Sequence, residues 1–233
     1  MQNNTLVVIS HYASRGSRQL SELLSQISRV SKNILIVVND DQVAQEVLGS
    51  FIGYPAIFRP NIGMNIGGWD AVFRNYSSYK YYVFLQDECS LIRDDFISAY
   101  EVELAQSGVG MTGESINNKW DRPWIEMLKS PLNYFVSQNL TRVEHYLYLM
   151  RKWNVDPGST GRHLRSLVWG FNHDSLARLG GFPVGKTKEE CIAAEISVSK
   201  KIEELGLRVT QISDIPFSFF RHQEWRSDGT SKI

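Results

Sequence analysis

The chain has 233 residues, long enough to bury roughly 70–75% of its unfolded surface without a disulfide or metal staple. Its 25 Lys and Arg balance 25 Asp and Glu, which argues against the strongly basic surface that a sequence-independent nucleic-acid binder needs. Cys89 and Cys191 stand far apart with no CxxC and no Cys/His cluster, so neither a zinc module nor a disulfide framework is expected and a reducing compartment suits the chain.

The first third alternates strand and helix signals. Leu6–Ile9 reads as a buried strand, and Ser17–Ser28 carries Leu20, Leu23, Leu24 and Ile27 at helical spacing. Ile34–Val38 is a second strand, ended by Asn39-Asp40-Asp41, and Gln42–Leu48 reads as a short helix. Ala56–Phe58 is a brief strand, Trp69–Tyr76 a helix and Tyr81–Leu85 a strand. Strands alternating with helices predict a mostly parallel α/β sheet with helices on both faces. Such sheets bind ligands beyond the carboxyl ends of their strands, where Asn39–Asp41 and Gln86–Glu88 fall.

Beyond Ser107 the rhythm changes. Gly108–Gly113 reads as a strand and turn, and Asn117–Trp153 is rich in Trp and Tyr, with a helix predicted over Leu140–Lys152. Asp156–Ser159 marks a turn. Leu167–Phe171 is strand-like, Cys191–Leu205 a long helix stopped by Gly206, and Arg208–Ile212 a last strand. The apolar runs are far shorter than the ~20 residues that span a bilayer. No basic stretch followed by an apolar core opens the chain, so no signal peptide is expected. One continuous domain is expected.

Two segments can carry chemistry. Asn61–Gly68 holds three glycines and two asparagines, which permit positive φ and close backbone approach to a ligand, or make an ordinary loop. It matches neither a phosphate loop nor the dinucleotide fingerprint. Asp87 and Glu88 follow an apolar strand, where adjacent acids can hold a hard cation while phosphate completes its shell, or can simply end the strand.

The order of the remaining motifs sharpens this. Asn61-Ile62-Gly63, then Phe84-Leu85-Gln86-Asp87-Glu88, then Gly180-Gly181-Phe182, then Ala194-Glu195 ahead of Gly206 resembles the family 2 glycosyltransferases and their GT-A-fold relatives. The resemblance covers roughly residues 5–222, and Glu195 stands eleven residues before Gly206, as the family's second acid does. Three positions depart from the family pattern: Gln86 replaces an acid, Ala194 replaces the first residue of a Glu-Asp pair, and Asn39 replaces an Asp that helps hold the base, with Asp40 beside it.

The resemblance implies a single GT-A, Rossmann-like domain. Residues 1–106 would form the nucleotide-sugar half and 107–233 the acceptor half, with an aromatic insert at 117–165. It implies a metal-dependent inverting transferase that uses Mn2+ or Mg2+, a nucleotide-sugar donor and a glycan or lipid-linked glycan acceptor. No nucleic-acid partner is expected, and the place implied is the cytoplasm, at most peripheral to the membrane. Asn39, Asp40, Asn61, Gly63, Asn65, Gln86 and Asp87 would hold the donor, and Asp87, Glu88 and His222 the cation. Glu195 would be the general base, lying in the first turn of its helix. His222 can equally be a structural histidine, and Arg221 beside it can pair with phosphate. Trp120, Trp124 and Trp153 can line an acceptor site or belong to the core. Gln86 and Ala194 keep a second reading open, a GT-A-like domain that binds a nucleotide sugar or glycan without turnover. A sugar nucleotidyltransferase is a third, of which Ser14–Arg18 carries only a faint echo.

Overall fold

A computed structural model describes residues 4–131, 133–223 and 225; the last part of the C-terminal half lies outside the described residues. The chain folds around an eight-stranded sheet. β1 (Thr5–Tyr12) and β2 (Ile34–Asp40) are its central apolar strands, joined by α1 (Arg18–Ile27). β3 (Val47–Phe51) and β4 (Tyr54–Pro60) form a hairpin, followed by α2 (Met64–Asn75), β5 (Tyr81–Gln86) and a short β6 (Cys89–Leu91). Then come α3 (Phe96–Leu104), β7 (Val109–Gly113), α4 (Trp124–Leu128) and α5 (Arg142–Lys152). β8 (Val168–Asn172), α6 (His173–Leu179), α7 (Lys188–Glu204), β9 (Arg208–Gln211) and β10 (Phe220–His222) complete the order.

The sheet order is β3-β4-β2-β1-β5-β8-β7-β9, and β10 pairs with β6 in a separate two-stranded ribbon. β4, β2, β1 and β5 run parallel, whereas β8 is antiparallel to both neighbours. Alternation along β1 sends Val7 and Ile9 to the face covered by Leu20, Leu23 and Ile27 of α1, and Leu6 and Val8 to the face covered by α2 and α7. Both faces are therefore buried, which is why these strands read as continuous apolar runs.

Two expectations are corrected. Gln42–Leu48 is no helix: it is a turn leading into edge strand β3, and the reversal at Ile52-Gly53 uses positive φ at both residues. Val47 and Leu48 are exposed, so the segment has no apolar face to pack as a helix. The glycine-rich stretch is not all loop either, because α2 already begins at Met64. A Cβ on Gly67 would lie 2.0 Å from the Ile62 carbonyl oxygen, so this glycine serves close packing of the helix start against the preceding turn.

The aromatic insert is mainly core. Trp120 and Trp124 are buried with Met127, Val143, Tyr146 and Met150, and Trp153 packs partly buried at the same cluster. Ala194 is fully buried against the central core, so an acid there would lose its solvation without a polar partner. Among the described residues no helix is long and apolar enough to cross a membrane.

Candidate functional site

The carboxyl ends of β1, β2 and β5 and the start of α2 enclose a cleft of 240 Å³. It is lined by Ser10, Tyr12, Arg15, Asn39, Asn61, Met64, Asn65, Gln86, Asp87 and Glu88. Five of the seven predicted donor residues therefore come together, Asn39, Asn61, Asn65, Gln86 and Asp87, beside the predicted cation ligand Glu88. Two others do not line it. Gly63 is the left-handed residue before α2, at φ 79°, and Asp40 uses its side chain to accept from the Gln42 backbone N–H at 2.8 Å.

Asn39 is committed inside the protein as well as to the cleft wall. Its Oδ1 accepts from buried Arg59, and its Nδ2 donates to Ser10 Oγ at 2.9 Å. Burial lowers the Arg59 pKa, and a neutral amide is what this partly desolvated guanidinium meets here.

Glu88 sits just past β5. One carboxylate oxygen accepts from Gln223 Nε2 at 2.8 Å, and the other pairs with Arg15 and lies 3.8 Å from His222 Nε2. His222 does most to draw this carboxyl down to about 2; Arg15 adds to that effect, while partial burial opposes it. The β10–β6 ribbon, which pairs His222 with Cys89, is what brings this C-terminal histidine beside Glu88. Asp87 is buried and turned toward β1, where His11 Nδ1 lies 2.6 Å from its Oδ2.

These residues fit a hard divalent ion in kind. Two carboxylates, one kept ionised, stand beside an imidazole, and oxygen-rich sets of this sort suit Mg2+ or Mn2+. Among the described residues no three or more His, Cys, Asp and Glu side chains already converge on one point. Glu88 and His222 would be the direct ligands, with Asp87, which lines the same cleft as Glu88, held by His11.

Glu195 belongs to a second, connected network. It is the eighth residue of α7 rather than part of its first turn, because the helix starts earlier, at the capping box of Thr187 and Glu190. The favourable field that a helix dipole gives a first-turn acid therefore does not reach Glu195. Glu195 Oε1 lies 2.9 Å from His163 Nε2, and Oε2 accepts from the Ser166 backbone N–H at 3.0 Å and from its hydroxyl. Burial raises this carboxyl, but the donors of His163 and Ser166 outweigh it and hold Glu195 below its ordinary range.

Ser166 ties Glu195 to the cleft lining. Its carbonyl accepts from Gln86 Nε2 at 2.6 Å and from Asn65 Nδ2 at 2.7 Å, so the residue that grips Glu195 also anchors the cleft floor. Gln86 can make this bond because it is an amide; an acid there would face a carbonyl oxygen with no proton to give. His163 is buried, with Nδ1 2.6 Å from the Gly161 carbonyl, which leaves Nε2 for Glu195. His11, His163 and Ser166 escaped the sequence reading. The one available signal was the polar run Arg162-His163-Leu164-Arg165-Ser166 standing immediately before a buried strand.

No protein-family model matches the sequence, and no curated protein matches it. The fold is similar to that of the mannosyltransferase PcManGT from Pyrobaculum calidifontis, solved in complex with GDP-Man and Mn2+: identity is 14%, the TM-score 0.54, and the match covers 91% of this chain and 55% of that one. It is also similar to glucosyl-3-phosphoglycerate synthase from Mycobacterium tuberculosis, solved with Mn2+, UDP and glucosyl-3-phosphoglycerate, at 13% identity and a TM-score of 0.50, over 96% of this chain and 73% of that one. The chain thus spans little more than half the length of the mannosyltransferase. The likeness is one of fold, and the fold is that of GT-A glycosyltransferases.

Proposed function

We propose that the chain is a metal-dependent, inverting glycosyltransferase that moves a sugar from a nucleoside diphosphate to a hydroxyl of a glycan or lipid-linked glycan. One observation carries this reading. Glu88 and Gln86 line one cleft, and a second carboxylate, Glu195, is tied to that lining through Ser166, whose carbonyl accepts from Gln86. Both proteins of similar fold were solved with Mn2+ and a nucleotide or nucleotide sugar, which supports the same ligands here.

In the transfer, the bond between the anomeric carbon and the diphosphate oxygen breaks, its electron pair leaving with the diphosphate. The acceptor oxygen bonds to the opposite face of that carbon, and its proton passes to Glu195. Oε2 of Glu195 already accepts twice, whereas Oε1 has His163 as its one partner among the described residues. A carboxylate oxygen offers two lone-pair directions, so Oε1 retains one for the acceptor hydroxyl. A divalent ion held by Glu88 and His222 would supply charge compensation for the leaving diphosphate. The donor lies along Asn61, Asn65 and Gln86. A role in polysaccharide synthesis, a cytoplasmic place and peripheral membrane contact at most follow from the family resemblance.

A binding module without turnover is the second reading, favoured by the fact that both oxygens of Glu88 and the amide of Asn39 already have partners. Release of nucleoside diphosphate from a panel of UDP- and GDP-sugars with Mn2+ separates the two. Metal-dependent release supports the transferase; tight donor binding with no release for any donor or acceptor supports the module.

A further inference from the structure

Arg15 occupies an unusual place. It ends a short 3-10 turn, Ala13–Arg15, that follows β1 and has no buried residue, and its own side chain is 49% exposed. It lines the 240 Å³ cleft and, with Arg18, Gln19, Glu22 and Gln223, a wider neighbouring one of 570 Å³. Glu88 belongs to both walls and is fixed at one oxygen by Gln223. The other oxygen is the one that Arg15 pairs with and that faces His222 at 3.8 Å. A divalent ion seated between Glu88 and His222 must therefore use the oxygen that Arg15 holds.

Charge accounts for the other half. Among the described residues Arg15 is the only Lys or Arg lining the smaller cleft, which also carries Asp87 and Glu88. A diphosphate entering there meets one cationic side chain, on a long stem with open space on either side. Arg18 is no substitute, since it pairs with Glu22 at 3.0 Å one turn along α1.

We propose that Arg15 and the divalent ion compete for Glu88, and that the displaced guanidinium then binds the donor's diphosphate, so that metal and nucleotide bind cooperatively. The proposal rests on the transferase reading for its ligands. An Arg fork suits phosphate oxygens, and a mobile one at the joint of two clefts can serve either partner.

Titrations of Mn2+ alone, and of GDP and UDP at saturating Mn2+, with wild type and Arg15→Gln test it. Removing a half-exposed ion pair should tighten Mn2+ binding about two- to fivefold. Loss of a charge-assisted phosphate contact should weaken the preferred nucleoside diphosphate at least about tenfold, with partial recovery in Arg15→Lys. The two affinities thus move in opposite directions, which no general loss of structure produces. Mn2+ binding unchanged or weakened in Arg15→Gln overturns the competition, and undiminished nucleotide binding overturns the diphosphate role. If wild type binds neither GDP nor UDP with Mn2+, the transferase reading fails, while the Mn2+ comparison still decides whether Arg15 competes at Glu88.

Discussion

Replacing Glu195 by Gln separates its chemistry from its structural work. The glutamine oxygen can keep the two bonds from Ser166, while its amide nitrogen takes the place of Oε1 opposite His163 Nε2. The change converts charge-assisted hydrogen bonds to neutral ones, a loss of about 1 kcal/mol. For a chain of this size that is roughly 2–4 °C in melting temperature. Proton abstraction, in contrast, disappears, and general-base catalysis is worth about 10²–10⁴ in rate. The assay is transfer, or donor hydrolysis where no acceptor is at hand, measured beside donor affinity and melting temperature. The expected pattern is near-normal affinity and stability with turnover down at least about 100-fold. Turnover within about tenfold of wild type would make Glu195 a strut for Ser166 and would move the base to Glu189 or Glu190, in the first turn of α7.

Two stability predictions follow from groups around the site. Glu114 is buried, accepts from Tyr100 Oη at 2.9 Å and from the Phe219 N–H at 3.1 Å, and has its carboxyl pushed up to about 7, chiefly by burial. Between about pH 4.5 and 7 the folded state keeps a proton that the unfolded chain has released, so stability should fall as pH rises through that window, by up to about 3 kcal/mol. Denaturant unfolding should show this slope in wild type and lose it in Glu114→Gln; a slope that persists in the variant would exonerate Glu114. Gly63→Ala forces an L side chain into φ 79° and sets its Cβ 2.4 Å from Val184 Cγ1. The expected loss is about 3 kcal/mol, roughly 6–12 °C, and a melting temperature within about 2 °C of wild type would contradict it.

The parts of the fold that two-sided burial specifies were the legible ones. Leu6–Ile9, Ile34–Val38 and Tyr81–Leu85 are strands because both faces of the sheet are covered, and four leucine and isoleucine positions placed α1. Edge elements carry no such signal: β3 is exposed from Val47 to Ser50, so no buried face marks its five residues as a strand. The start of α7 was set three residues late because a capping box, a local hydrogen-bond pattern, fixes it ahead of the apolar spacing.

In the site, residues at strand ends could be placed because topology alone brings them together. Asp87, Glu88, Gln86 and Asn39 are of this kind. Those supplied by long-range packing could not. His11 becomes the partner of Asp87 only through the β1–β5 pairing, and Ser166 meets Glu195 and Gln86 only when the loop before β8 crosses between α7 and β5. Departures from the family pattern also gained physical reasons. Ala194 fills the core, and the Gln86 amide donates where a carboxylate would repel.

The central claim is that Glu88 holds a divalent ion that helps bind a nucleotide diphosphate in this cleft. Calorimetric titration of GDP-Man and UDP-sugars, with and without Mn2+, into wild type and Glu88→Gln tests it most directly. The account predicts one donor whose affinity rises with Mn2+ in wild type and does not respond to Mn2+ in Glu88→Gln, with both proteins folded. Equal metal enhancement in the two proteins, or no donor binding to wild type at all, would contradict it.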